Sequence, residues 1–131
     1  MVKILAIDDE ETCLEIIDFS LTSRGYEVFP VNNGQAAIEF LLAGEHKIDL
    51  ILLDMMMPQI SGLATLEKIR QIESAKFIPV IFQTGTSDYA PLNKTQEQGN
   101  IDYVIRKPYK RDELIKVVNM ALAERKIAEF A

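Results

Sequence analysis

Five short apolar runs, each followed by a longer stretch of helical period, constrain this chain more than any other feature. The runs are Val2–Ile7, Tyr26–Val31, Ile48–Leu53, Ile78–Phe82 and Ile101–Ile105. Short apolar segments rich in β-branched residues read as strands. Ile48–Leu53 is nearly continuous, as expected for a central strand covered on both faces, whereas Pro30 restricts the second run to an edge or a strand end. Between the runs, apolar residues recur at three- and four-residue spacing. The first helix begins at Glu11 and carries Leu14, Ile17 and Leu21, with Gly25 placed to end it. The second carries Ala36, Ala37, Phe40 and Leu41 and closes near Gly44, and the third carries Leu63, Leu66, Ile69 and Ile72. A fourth helix over Asp88–Gln98 has little apolar face, with Pro91 suited to its first turn. The last has a clear stripe at Leu114, Val117, Val118, Ala121 and Leu122. Strand–helix alternation predicts an α/β fold, a doubly wound parallel sheet with helices on both faces, because right-handed crossovers put them there.

Composition narrows the function classes. At 131 residues the chain fits one domain and buries about two-thirds of its unfolded surface. An apolar fraction of 48% without low-complexity tracts excludes a disordered chain. The net charge of −6 argues against a nucleic-acid partner, which needs clustered Lys and Arg. Cys13 has no second cysteine to pair with, and one Cys with one His cannot build a zinc site. Cys13 reads as a small packing residue and His46, between Glu45 and Lys47, as a solvated loop residue. The apolar start turns acidic at Asp8, too early for a signal peptide, and no run reaches the roughly 20 residues of a membrane helix. The expectation is a soluble, cytoplasmic domain with no membrane partner.

Carboxylates mark the strand ends. Asp8 and Asp9 follow the first strand and Asp54 follows the third. Open α/β sheets build their sites outside the carboxyl ends of the strands, at the topological switch point. With strand order 2-1-3-4-5 that point lies between strands 1 and 3, so the three acids converge. Crowded carboxylates raise one another's pKa, and a hard divalent cation relieves the repulsion; an all-oxygen set selects Mg²⁺ or Mn²⁺. Thr84 ends the fourth strand, and Lys107, before Pro108, ends the fifth. A cation, a hydroxyl and a metal around one carboxylate suit phosphoryl transfer onto it, with Asp54 as the nucleophile and an acyl phosphate as the product.

These residues together resemble the receiver domain of two-component response regulators. The resemblance runs from Val2 to about Leu122. It rests on Asp8-Asp9, on Asp54 with Pro58 and Gly62, on Thr84, and on Lys107-Pro108-Tyr109. The family is itself an illustration of the switch-point rule, so rule and resemblance are not independent. The resemblance implies a flavodoxin-like (βα)5 fold with a five-stranded parallel sheet in the order 2-1-3-4-5. It implies a signalling switch rather than an enzyme, self-phosphorylation and self-dephosphorylation on Asp54 apart. The phosphoryl donor is a histidine kinase or histidine phosphotransfer protein. Asp9 becomes a direct metal ligand, Asp8 a water-mediated one, and the Met56 carbonyl a further ligand. Thr84 and a strand-five aromatic report phosphorylation to the surface of the fourth helix, fifth strand and last helix. That surface meets an output domain or effector, or a second copy in a phosphorylation-dependent dimer.

The chain departs from the family's pattern in places. The aromatic lies three residues before the lysine in the family; that position here is Val104, and Tyr103 lies one earlier. A bulge near Ile105–Arg106 would keep Tyr103 in the switch role. Met55, Met56 and Met57 leave no polar side chain to orient water, which implies a long-lived acyl phosphate, and Lys110 is a poor helix cap. A flavin-binding protein would need a Ser/Thr/Gly-rich phosphate loop where Asp8-Asp9-Glu10-Glu11-Thr12 stands. A haloacid-dehalogenase-type phosphatase would carry Asp-x-Asp-x-Thr there. A phosphorylation-independent binding module of the same fold is the remaining alternative. The domain is expected to span 1–122, with 123–131 extending the last helix or beginning a linker.

Overall fold

The computed structural model describes residues 1–85 and 103–130, with side chains through Glu124. The elements are β1 (Lys3–Ile7), α1 (Glu11–Thr22), β2 (Glu27–Val31), α2 (Gly34–Ala43), β3 (Leu50–Asp54), α3 (Gly62–Ile69), β4 (Val80–Thr84), β5 (Tyr103–Arg106) and the last helix, α4 (Arg111–Phe130). The helix expected over 88–98 lies outside the described residues. All strand pairs are parallel, in the order β2-β1-β3-β4-β5, which is the expected doubly wound topology. β2 is an edge strand, and Pro30 is accommodated there because its missing N–H faces no further partner.

Two apolar layers cover the sheet. Leu5, Ile7, Ile51, Leu53, Val80 and Phe82 pack against Ala37 and Leu41 of α2 and Leu66 and Ile69 of α3. On the opposite face Ile4, Ala6, Leu50, Leu52, Ile81 and Ile105 meet Leu14, Ile17 and Leu21 of α1 and Leu114, Ile115, Val118 and Ala121 of the last helix. Fully burying each large aliphatic side chain contributes about 1.5–3 kcal/mol, so this double layer holds the central strands rigidly and fixes where their ends lie.

Helix ends follow local chemistry. Asn33 caps α2 through its side chain to the Ala36 N–H (2.7 Å), and Gly44 closes that helix at φ +66°. Ser61 caps α3 at the Ala64 N–H. Lys110 gives the last helix no described side-chain cap; Asp112 and Glu113 in the first turn complement the helix dipole instead. His46 is half-buried rather than solvated, stacked near Phe29 and Phe40 with its Nδ1 3.3 Å from Lys3 Nζ.

The fifth strand corrects one expectation. Ile81, Phe82, Gln83 and Thr84 oppose Tyr103, Val104, Ile105 and Arg106 one for one, so no bulge sits near Ile105–Arg106. Side chains alternate along a strand. Val104 therefore shares the face of Phe82 and Thr84, while Tyr103 packs with Ile105 in the layer of α1 and the last helix. Tyr103, expected as the switch aromatic, is thus turned away from Thr84.

Candidate functional site

Parallel register brings the acids together. β1 pairs with β3 through Ala6–Leu52 and Ile7–Leu53, so the next residue on that face of each chain, Asp8 and Asp54, end up side by side. Asp8, Asp9 and Asp54 each offer a carboxylate oxygen, and these lie within 4.8 Å of one another. Asp8 is fully buried and Asp54 is 4% exposed, whereas Asp9 is exposed at the rim. The Glu10 N–H donates to Asp8 Oδ1 (2.9 Å), and the Met56 N–H donates to Asp54 Oδ1 (3.2 Å). Both bonds aim a carboxylate from its own following turn.

Lys107 completes the cluster. It follows β5 in a turn with a cis Lys107–Pro108 bond, and its backbone N–H donates to the Thr84 carbonyl at 2.7 Å. Its ammonium lies 2.6 Å from Asp8 Oδ2 and 3.5 Å from Asp54 Oδ2. Burial opposes the charge on Lys107, but the hydrogen bond to Asp8 and the fields of Asp54 and Asp8 outweigh it, so its pKa rises. Asp54 moves the same way for the reverse reason. Burial, then the adjacent Asp8, push it up to about 7 against the pull of Lys107. One ammonium does not balance this group of acids, and that surplus of negative charge on oxygen ligands fits a hard divalent cation. Cys13 also approaches Asp8 and Glu10, but burial raises its thiol pKa and keeps it a poor ligand beside the carboxylates.

The remaining predicted residues take distinct places. Thr84 is buried at the end of β4, its hydroxyl donating to the Gly85 carbonyl (3.0 Å) with Met55 Sδ at 3.5 Å, not to Asp54. Met55 and Met57 are core residues, while Met56, two residues beyond Asp54, is 65% exposed. Gly62 makes the tight turn into α3 possible: a Cβ there would stand 2.3 Å from the Asp54 carbonyl oxygen. Sequence reading assigned no role to Gln83. It is fully buried, is Asp54's lateral partner in β4, and accepts a 2.7 Å hydrogen bond from the Tyr109 hydroxyl. The available signal was its parity with Ile81, which puts a polar residue on a face otherwise lined by apolar ones.

The family model described as "Response regulator receiver domain" matches residues 4–119. The chain belongs to the response regulator receiver domain family. Among curated relatives, this receiver domain is 36% identical over 122 residues to the 3',5'-cyclic-nucleotide phosphodiesterase regA of Dictyostelium discoideum, covering 92% of this chain and 15% of that protein. It is 34% identical over 118 residues to the transcriptional regulatory protein DltR of Streptococcus agalactiae, covering 90% of this chain and 50% of the relative. The receiver domain therefore spans half or less of these relatives' length. Among solved structures, it is similar to a response regulator receiver domain protein from Clostridium thermocellum, with TM-score 0.87, 30% identity and coverage of 98% and 99% of the two chains. It also matches the chemotaxis protein CheY4 of Vibrio cholerae, with TM-score 0.82, 26% identity and coverage of 93% and 99%. No described helix is long and apolar enough to cross a membrane.

Proposed function

We propose that this receiver domain is a phosphorylation-dependent signalling switch whose acceptor is Asp54. The observation that carries the reading is the Lys107 ammonium held between buried Asp8 and Asp54. An Asp54 oxygen attacks the donor phosphorus, the bond from phosphorus to the donor's imidazole nitrogen breaks, and an acyl phosphate forms. Lys107 sits where it neutralises charge on the transferring oxygens. Asp8, Asp9, Asp54 and the Met56 carbonyl are the residues that would hold Mg²⁺ or Mn²⁺, which supplies further neutralisation of phosphoryl charge.

The donor is a protein histidine, from a histidine kinase or phosphotransfer protein. A groove of about 270 Å³ lined by Glu10, Cys13, Ile16, Lys107, Pro108 and Tyr109 opens next to the lysine. Ile16 (52% exposed) and Phe19 (68% exposed) extend it as an apolar strip along α1, suited to a helix of the donor protein. After transfer, the Thr84 hydroxyl turns from the Gly85 carbonyl to a phosphoryl oxygen. Val104, on the same face, responds to that movement, and the surface around β5 and the last helix changes its affinity for an effector, an output domain or a second copy.

The test is incubation with a small acyl-phosphate donor and Mg²⁺, followed by mass spectrometry. A gain of one phosphoryl group that disappears in Asp54→Asn supports the reading. No gain, or a gain that persists in Asp54→Asn, refutes it and leaves a phosphorylation-independent binding module.

A further inference from the structure

Gln83 is a polar residue at a position where packing calls for an apolar one. Its β4 neighbours Val80, Ile81 and Phe82 are buried and apolar, and Ile105 stands opposite it in β5. The side chain is fully buried, on the same sheet face as its other lateral partner, Asp54. Its Oε1 accepts the Tyr109 hydroxyl at 2.7 Å, while its Nε2 has no hydrogen-bond partner among the described residues. An unmade buried N–H is destabilising, so core packing alone does not account for an amide here.

What the amide does is tie down the turn that carries Lys107. Tyr109 lies two residues beyond the lysine, across Pro108. The Lys107 N–H is bonded to the Thr84 carbonyl on one side, and the Tyr109 hydroxyl is bonded to Gln83 on the other. Two adjacent residues of β4 thus hold both ends of a three-residue turn. A lysine side chain has many rotamers, and anchoring its backbone limits where the ammonium can reach. Burial raises the Tyr109 pKa above its ordinary value, so the hydroxyl remains a neutral donor under working conditions.

We infer that Gln83 and Tyr109 are a positioning pair for phosphoryl transfer, holding the Lys107 turn so that its ammonium faces the acceptor. The inference rests on Asp54 being that acceptor. Misplacing a reacting group by about 1 Å can reduce a rate by up to 10²-fold. A loosened turn with the lysine still present falls short of that, and the expected loss is about tenfold.

The experiment compares wild type, Tyr109→Phe and the double variant Gln83→Leu/Tyr109→Phe. Urea unfolding is measured beside phosphorylation by a small acyl-phosphate donor as a function of Mg²⁺. The single variant leaves both ends of the buried amide unpaired and loses stability; the double variant is apolar at both positions and regains it. In the double variant the maximal rate stays about tenfold below wild type, while the Mg²⁺ concentration giving half that rate remains within about twofold. A role in stability alone would return the rate together with stability, and a double variant phosphorylated as fast as wild type overturns the inference. Should the double variant not fold, Tyr109→Phe carries the test, and an unchanged maximal rate there overturns it equally. A wild-type chain that takes up no phosphoryl group fails at the earlier step and removes the acceptor assignment itself.

Discussion

Asp54 makes the stability of the metal-free domain depend on pH in an unusual direction. Burial and the neighbouring Asp8 raise its pKa from 3.8 to about 7. Between those values the folded chain holds a proton that the unfolded chain has released. The contribution is therefore fully present below the unfolded pKa and is lost as pH rises through 7. At pH 5 the ratio of the two binding polynomials is roughly 100, equivalent to about 2.7 kcal/mol; at pH 8 it is near 1, leaving about 0.1 kcal/mol. The domain should thus lose about 2.5 kcal/mol from this carboxyl between pH 5 and pH 8, where acids in ordinary surface positions would contribute nothing.

Asp54→Asn removes the titration and preserves the shape. Urea unfolding of both proteins in chelator, at pH 5, 6, 7 and 8, gives the difference in unfolding free energy at each pH. Subtraction cancels groups remote from Asp54, so the difference reports Asp54 together with its coupling to Asp8 and Lys107. The difference, wild type minus variant, should fall by about 2.5 kcal/mol across the series. A flat difference would refute the reasoning. One that rises with pH would show that Lys107 dominates and that the carboxylate, not the acid, is the favoured form. Saturating Mg²⁺ should flatten the wild-type dependence, because a cation bound by ionised carboxylates offsets the repulsion that held the proton.

Other substitutions probe the same site from different sides. Lys107→Met leaves fully buried Asp8 without its 2.6 Å partner, and should cost on the order of 3 kcal/mol at pH 8 by urea unfolding; a loss below about 1 kcal/mol would mean Asp8 is otherwise compensated. Gly62→Ala places a Cβ 2.3 Å from the Asp54 carbonyl oxygen and 2.7 Å from Met55 Cα. Backbone must move, so a loss of about 2 kcal/mol or more is expected in thermal or urea unfolding, and a neutral result would contradict the close approach. Met56→Asn puts a polar side chain at an exposed position two residues beyond Asp54, the proposed acceptor, where it can orient water. The acyl-phosphate lifetime, followed by mass spectrometry, should shorten; an equal or longer lifetime would count against that role for the apolar side chain.

Much of this arrangement was legible because it depends on strand ends. A nearly continuous apolar run ending in Asp54 can only be a covered strand delivering a carboxylate to the sheet's edge, and the same logic placed Asp8, Thr84 and Lys107. The interior of β4 was less legible. The apolar run stops at Phe82, yet β4 spans Val80–Thr84 and ends at Thr84 as expected, with polar Gln83 fully buried inside it. Composition treats a glutamine as a break in an apolar strand, and only the hydroxyl of a residue 26 positions later makes it a core residue. His46 was missed for a related reason: Phe29 and Phe40, distant in sequence, supply the aromatic faces it packs on.

Tyr103 shows where counting along a chain fails. Counted back from Lys107, the family's aromatic position is Val104, and the aromatic itself, Tyr103, lies one residue earlier. In a strand one residue is the difference between faces. A bulge would have reconciled the two, but it would also have broken pairing at Gln83 and Thr84, which bond to Tyr109 and Lys107. The unbroken ladder from Tyr103 to Arg106 keeps those two in register with β5 and leaves the Lys107 N–H on the Thr84 carbonyl. Pairing at the site therefore takes precedence over the aromatic, and Val104 joins Thr84's face. If the proposed switch operates, movement of Thr84 would pass to a small β-branched side chain, Val104, rather than to an aromatic ring. Tyr103 serves instead to fill the layer beneath the last helix.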